Sequence, residues 1–204
     1  MLRLAGIVLY LAGLVFAEAL RLPRRISRAR SGAEWRRPAG GSRLPELLVV
    51  IAVLVGIWVL PLAYAFTRWL QPFDYSVPAW AVGAAALIFV FSLFIRWQGQ
   101  RALGTRWSPT LETATGHEIV DHGIYAYIRH PVYVALLLWA AAQPFLLQNV
   151  LAGWGGAVAA ALIWIVRVPR EERMMLERFG DQYRQYMART ARAIPRLRRT
   201  DGPV

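Results

Sequence analysis

Apolar residues in this chain come in long runs instead of alternating with polar ones. The first run is Leu4–Leu20, interrupted only by Glu18 near its end. The second is Leu44–Phe66, with Glu46 at its edge and Pro61 inside. The third, Val77–Ile95, opens at Pro78, which suits the first turn of a helix, where no backbone donor is needed. Val132–Leu147 and Val150–Val166 follow, separated only by Gln148 and Asn149, a spacing that predicts a tight helical hairpin. A helix needs roughly 20 residues to cross the hydrocarbon of a bilayer, so the pattern predicts five spans, the last two short. Pro61 and the Gln143-Pro144 pair predict kinks in spans two and four. Gln143 should face protein, because an unpaired amide in hydrocarbon is costly. Gly6, Gly13, Gly153, Gly156 and Ala160 are the positions where helices could approach closely.

Composition agrees with a membrane protein. Of 204 residues 57% are hydrophobic, and the mean hydropathy is +0.37; a soluble domain sits nearer to about 45–50% apolar. Cysteine is absent, which excludes disulfides, thiolate metal sites, catalytic thiols and lipidation at Cys. The formal charge is +12, and all 24 basic residues are arginine. A nucleic-acid partner is not expected, because the arginines interrupt hydrophobic runs and no nucleic-acid-binding motif is present.

The arginines instead set an orientation. Segment 21–43 holds eight, segment 96–131 four and the tail 167–204 ten, so 22 of the 24 lie on one side if the runs alternate across a membrane. The positive-inside rule then predicts an external N-terminus and a cytoplasmic C-terminus, and five spans are the odd number this requires. Ala17-Glu18-Ala19 resembles a signal-peptidase site, but one arginine precedes the first run and eight follow it, the reverse of a signal peptide. The expectation is an all-α integral membrane protein with five transmembrane helices and a cytoplasmic C-terminal helical segment. It forms one membrane domain over 1–204, with three N-terminal spans in 1–95. A site-bearing region follows in 96–204, containing the hairpin 132–166 and the tail.

Candidate chemistry gathers in two stretches that flank the short hairpin, Trp107–Tyr133 and Arg167–Pro195. All three histidines, His117, His122 and His130, lie in the first. Spacings of five and eight are not a usual ligand pattern and no Cys assists, so no metal is expected. Arg129-His130-Pro131 stands at the start of span four, where the free N–H groups of a helix N-terminus favour an anionic ligand group. The second stretch predicts a helix interrupted at Phe179-Gly180, with Tyr183 and Tyr186 on one face. Arg167 and Glu171, four apart, share a helix face near the hydrocarbon boundary; they either neutralise one another or face a ligand. No Gly-rich nucleotide loop, Walker sequence or nucleophile elbow is present.

These stretches closely resemble the isoprenylcysteine carboxyl methyltransferase family of membrane enzymes. The matching residues are His117-x-Ile119-Val120-x-x-Gly123-x-Tyr125 and Arg129-His130-Pro131-x-Tyr133. After the hairpin come Arg167, Glu171-Glu172, Phe179-Gly180-x-x-Tyr183-x-x-Tyr186 and Pro195. The resemblance covers roughly 100–196 and implies methyl transfer from S-adenosylmethionine at the cytoplasmic face. Carried over position by position, it implies that His117, Glu118, Ile119, Val120, Tyr125, His130, Pro131, Val132, Tyr133 and Glu171 line the cofactor. Arg167 matches the substrate-facing arginine and would serve as the catalytic and substrate-binding group. Two positions depart from the pattern: Ala135 stands where Gly is common, and Thr110 where better-known members have a cofactor-side Gln.

The implied acceptor is lipophilic, foremost an isoprenoid or prenylcysteine-type carboxylate giving a methyl ester, with membrane lipids as the other partners. A phospholipid amine or a small thiol is the alternative acceptor. An NADPH-dependent sterol-type reductase and a non-enzymatic relative are the alternatives of other classes. The Arg-only, Ala-rich composition suggests a bacterial cytoplasmic membrane.

Overall fold

The computed structural model describes residues 1–30, 35–36, 44–104, 113–114 and 119–195. All five apolar runs are helical. Helix α1 is Leu2–Arg30, with Pro23 just beyond the apolar run. The second run is one rod made of α2 (Leu44–Val53), a π-helical segment Leu54–Val59 and α3 (Leu60–Phe66). Helix α4 is Ala79–Leu103, with Pro78 at its N-cap, so it continues well past the apolar run. Helices α5 (Pro131–Leu147) and α6 (Val150–Leu162) form the expected hairpin. In their turn Gln148 takes the left-handed conformation at φ 52°, and the Asn149 side chain caps α6 by accepting from the Ala152 amide at 3.0 Å.

The last run does not end where the apolar residues end. A second π segment, Ile163–Arg167, joins α6 to α7 (Val168–Phe179). Gly180, at φ 52° and ψ −121°, then breaks the chain direction before α8 (Asp181–Arg189). Among the described residues the only paired strands are two-residue β1 (Trp35–Arg36) and β2 (Thr113–Ala114), which are antiparallel.

Among the described residues four helical stretches are long and apolar enough to cross a membrane: Leu2–Pro23, Leu44–Phe66, Ala79–Leu103 and Val150–Phe179. The chain is a multi-pass membrane protein. The expected fourth span, α5, has 17 residues and rises only about 26 Å, short of the roughly 30 Å hydrocarbon. Its position offsets this. Helix α5 packs against α4, α6 and α1, with Trp139, Ala142, Leu146 and Leu147 buried, so its surface meets protein more than lipid.

Both π segments stand just before a proline, and each leaves carbonyls without their usual helical partner. In the second run Leu60 N–H bonds to the Val55 carbonyl, five residues back, which skips Gly56. The freed Gly56 carbonyl accepts from Gln143 Nε2 at 2.8 Å, and the same amide donates to the Ala152 carbonyl at 2.7 Å. Pro61 has no N–H to give the Ile57 carbonyl, which instead accepts from Tyr10 Oη at 2.9 Å. Tyr10 accepts in turn from Trp139 Nε1 at 3.2 Å, and Phe89 packs on both rings. Gln143 thus faces protein, as its chemistry required. The helix crossing is close: a Cβ on Gly56 would lie 2.2 Å from the Gly155 carbonyl oxygen, and one on Gly156 would lie 2.2 Å from Gln143 Oε1.

The ends of the bundle differ. At one end Arg3 Nη1 pairs with Asp74 at 2.6 Å, and Asn149 Nδ2 donates to Asp74 Oδ1 at 2.8 Å and to the Leu70 carbonyl at 2.6 Å. The N-terminus, the loop after α3 and the α5–α6 turn therefore share that end. A cleft of 360 Å³ opens there, lined in part by Arg3, Tyr64, Arg68 and Asp74. The opposite end carries Glu18–Arg21, Arg167–Glu46 and the clustered tyrosines and carboxylates described next.

Candidate functional site

The site is built where α5 begins, at the arginine-rich end. Residues 123–126 form a 3₁₀ turn, His130 is the N-cap of α5, and Pro131 fills the first helical position, where its missing N–H is no loss. This sequence puts His130 and Tyr133 one turn apart, and their rings stack at 5.6 Å with 17° between planes. Tyr133 Oη donates a short hydrogen bond to Glu171 Oε2 of α7. The Arg167 guanidinium sits 6.0 Å over the Tyr133 ring. Its Nη1 lies 3.8 Å from Glu46 Oε1 at the start of α2. Tyr125 is buried beside this group. Burial, and next the Glu171 charge, push its phenol pKa well above the ordinary value.

The structure thus brings together Tyr125, His130, Tyr133, Arg167 and Glu171. Ile119 is half-buried and Val120 buried as the chain enters the turn. Pro131 is buried, and Val132 turns toward α4, where a Cβ on Gly99 would lie 3.0 Å from its Cγ2. His117 and Glu118, with Thr110, lie outside the described residues. Arg167 and Glu171 share the site, and each has a further partner: Glu46 for the arginine and Tyr133 for the carboxylate.

A second cluster lies beside the first. Glu172 is 4% exposed and is the hub of five contacts from three basic residues. Its Oε1 accepts from Arg129 Nη2 at 2.9 Å, Arg129 Nε at 3.2 Å and Arg192 Nε at 3.1 Å, and lies 3.2 Å from His130 Nε2. Arg192 Nη2 reaches Oε2 as well. Since a carboxylate only accepts, His130 carries its proton on Nε2. Arg129 also donates to the Met187 carbonyl at 3.2 Å and to that of Thr190. The backbone follows: the Arg129 amide donates to the Ala191 carbonyl at 2.8 Å, and Tyr186 Oη donates to the Tyr125 carbonyl at 2.7 Å. The tail is therefore clasped beneath the start of α5. Burial raises the Tyr186 phenol pKa, and the Glu172 hydrogen bond raises that of the Arg192 guanidinium.

This clasp was not read from the sequence. Arg129, Glu172 and Tyr186 stood inside the quoted motifs, but nothing in their spacing separated a clasp from a ligand contact. Arg192 carried no signal, being one of ten tail arginines. Among the described residues no group of three His, Cys, Asp or Glu side chains could hold a metal.

Residues 84–177 match the sequence model of the isoprenylcysteine carboxyl methyltransferase family. Curated relatives carry the name protein-S-isoprenylcysteine O-methyltransferase. The Tribolium castaneum protein is 34% identical over 84 residues, 41% of this chain and 30% of the relative. The Schizosaccharomyces pombe protein is 35% identical over 79 residues, 39% and 34% respectively. The Homo sapiens protein is 26% identical over 118 residues, 57% and 42% respectively. The matched part thus spans only about a third to two fifths of these relatives. Among solved structures, the eukaryotic intramembrane Ras methyltransferase of this family aligns with a TM-score of 0.51 at 22% identity, covering 77% of this chain and 54% of that one. At that identity the likeness shows the fold. The match spans all of α5, α6 and most of α7, the helices that carry His130, Tyr133, Arg167 and Glu171.

Proposed function

We propose that this chain, whose residues 84–177 match the sequence model of the isoprenylcysteine carboxyl methyltransferase family, transfers a methyl group to the carboxylate of a lipophilic, prenylcysteine-type acceptor, giving a methyl ester. The donor in this reading is S-adenosylmethionine, bound at the arginine-rich face, which the positive-inside rule makes cytoplasmic. The observation that carries it is the convergence of Tyr133, Arg167 and Glu171 from two helices on one mouth of the bundle.

The residues fit that donor. Tyr125 and Tyr133 offer aromatic surface to a purine, and Glu171 offers a carboxylate to an ammonium group or ribose hydroxyls. In this reading Ile119, Val120, Pro131 and Val132, with His117 and Glu118, line the donor, as the family motif implies. The bound donor supplies an electrophilic methyl on sulfur. A carboxylate nucleophile has no proton to lose, so no general base is needed and positioning is most of the catalysis. Arg167 performs it: its fork can hold both oxygens of the acceptor. Glu46 and the face of Tyr133 hold the guanidinium in place. His130 steadies Tyr133 by stacking and is itself held by Glu172.

The test is single-turnover transfer of labelled methyl to farnesylated and geranylgeranylated carboxylates, phosphatidylethanolamine and simple thiols. Transfer to the prenylated carboxylate is expected. Arg167→Ala should abolish it while donor binding persists, and Arg167→Lys should restore little, since a point charge does not reproduce the fork. Glu171→Gln should weaken donor binding about tenfold or more, the worth of one charge-assisted hydrogen bond. Transfer to the amine lipid alone, with Arg167→Lys fully active, would overturn the proposal.

A further inference from the structure

Among the described residues Arg96 is the one strongly buried arginine that the chemistry above does not use. It lies on α4, one turn before the end of the buried stripe Ala85, Phe89, Ser92, Arg96 and Gln100, and is 6% exposed. Its Nε has no hydrogen-bond partner, and no ion pair within 4.0 Å reaches the guanidinium among the described residues. The charges that face it come from α1: Glu18 and Arg21. These two are already paired with each other. Helix α5, packed along the same side of α4, brings no acid. Arg96 itself has no ion pair among the described residues and lies buried in an apolar bundle. A buried cation without a partner is strongly unfavourable, and an intramembrane ionisable residue marks a ligand site by default.

The location narrows the ligand. One turn beyond Arg96, Gly99 touches Pro131 and Val132 at the beginning of α5. Arg96 thus stands on the α1–α4 side of α5, while Arg167 and Tyr133 stand on the α7 side. Glu18, Arg21 and the end of the first apolar run mark this depth as the hydrocarbon boundary. An anion at that depth, between apolar helices, has to be carried on an apolar chain.

We propose that Arg96 anchors a second, non-reacting subsite between α1 and α4 that takes the oxyanion head of an amphiphile, a carboxylate or phosphate borne on a hydrocarbon chain. The proposal extends the methyltransferase reading, and binding measurements test it without methyl transfer. Two sources share this chemistry: a prenylated carboxylate and an anionic membrane lipid. The experiment measures binding of farnesylcysteine and its methyl ester, and thermal stability in nanodiscs of phosphatidylcholine with and without phosphatidylglycerol. It compares the wild-type chain with Arg96→Gln and Arg96→Lys.

If the acceptor is the source, Arg96→Gln should weaken acid binding about tenfold, leave the ester unchanged, and be rescued in part by Arg96→Lys. If a lipid is the source, the acid and ester should be unaffected, and the stabilisation by phosphatidylglycerol should disappear in Arg96→Gln and return in Arg96→Lys. Either result supports the subsite, and the first would stand even if no methyl transfer were found. Should Arg96→Gln fail to fold, Arg96→Lys and an apolar Arg96→Met carry the comparison. Unchanged acid binding and unchanged phosphatidylglycerol dependence in a folded neutral variant would overturn it.

Discussion

Glu171 and Glu172 are neighbours in the chain, yet a helix turns each residue about 100° from the last, and the two carboxylates meet different partners. Glu171 receives Tyr133 and is half-buried, facing the proposed ligand. Glu172 is buried among Arg129, His130 and Arg192 and holds the tail. Glu172→Gln leaves buried cations without their anion, which costs roughly 3–5 kcal/mol. It should appear as a lower unfolding temperature in detergent and as faster proteolysis after Tyr186. Glu171→Gln should leave both nearly unchanged. Arg192→Ala should cost less than Arg129→Ala, because the Arg192 side chain is 46% exposed and that of Arg129 only 7%. Equal losses from the two glutamate variants would remove the division of roles.

At the scale of elements, each π segment converts a backbone irregularity into a contact. The rod formed by α2 and α3 offers the carbonyls of Gly56 and Ile57 to Gln143 and Tyr10, which locks it to α5 and α1. Tyr10→Phe and Gln143→Leu each leave a buried carbonyl unpaired, for a loss of roughly 1–3 kcal/mol. Gly56→Ala should cost at least as much by a different route, because its methyl would collide with the Gly155 backbone, which cannot rotate away. Thermal unfolding in detergent micelles checks all three; a Gly56→Ala protein as stable as wild type would show that the crossing is looser than the structure has it.

For the whole molecule the question is which end faces the cytoplasm. The Arg3–Asp74–Asn149 network ties three segments to one end, and Arg21, Arg129, Arg167 and Arg192 lie at the other. Because the chain has no cysteine, a single introduced thiol reports its side cleanly. In intact cells Phe73→Cys should react with an impermeant maleimide, and Gln182→Cys should react only after lysis. Both reacting alike would contradict the orientation.

What the residues alone determine here is everything governed by solvent preference and covalent limits. The five helical runs, the hairpin turn at Gln148-Asn149, the break at Gly180 and the inward-facing Gln143 follow from hydrocarbon excluding unpaired polar groups and from glycine and proline geometry. Tyr125, His130, Tyr133, Arg167 and Glu171 were marked by the resemblance to a family motif, and of these only the four-residue spacing of Arg167 and Glu171 by itself indicates a shared helix face. The tertiary structure decided which partner each charged group takes. Arg167 meets Glu46 and Glu172 meets Arg192, across 121 and 20 residues of chain. It also decided that α6 runs on through Arg167 into α7, because the π segment before Pro169 lets the helix continue where hydropathy alone ends it. Electrostatic pairing depends on distance in space, and local sequence carries periodicity but not the distance between helices.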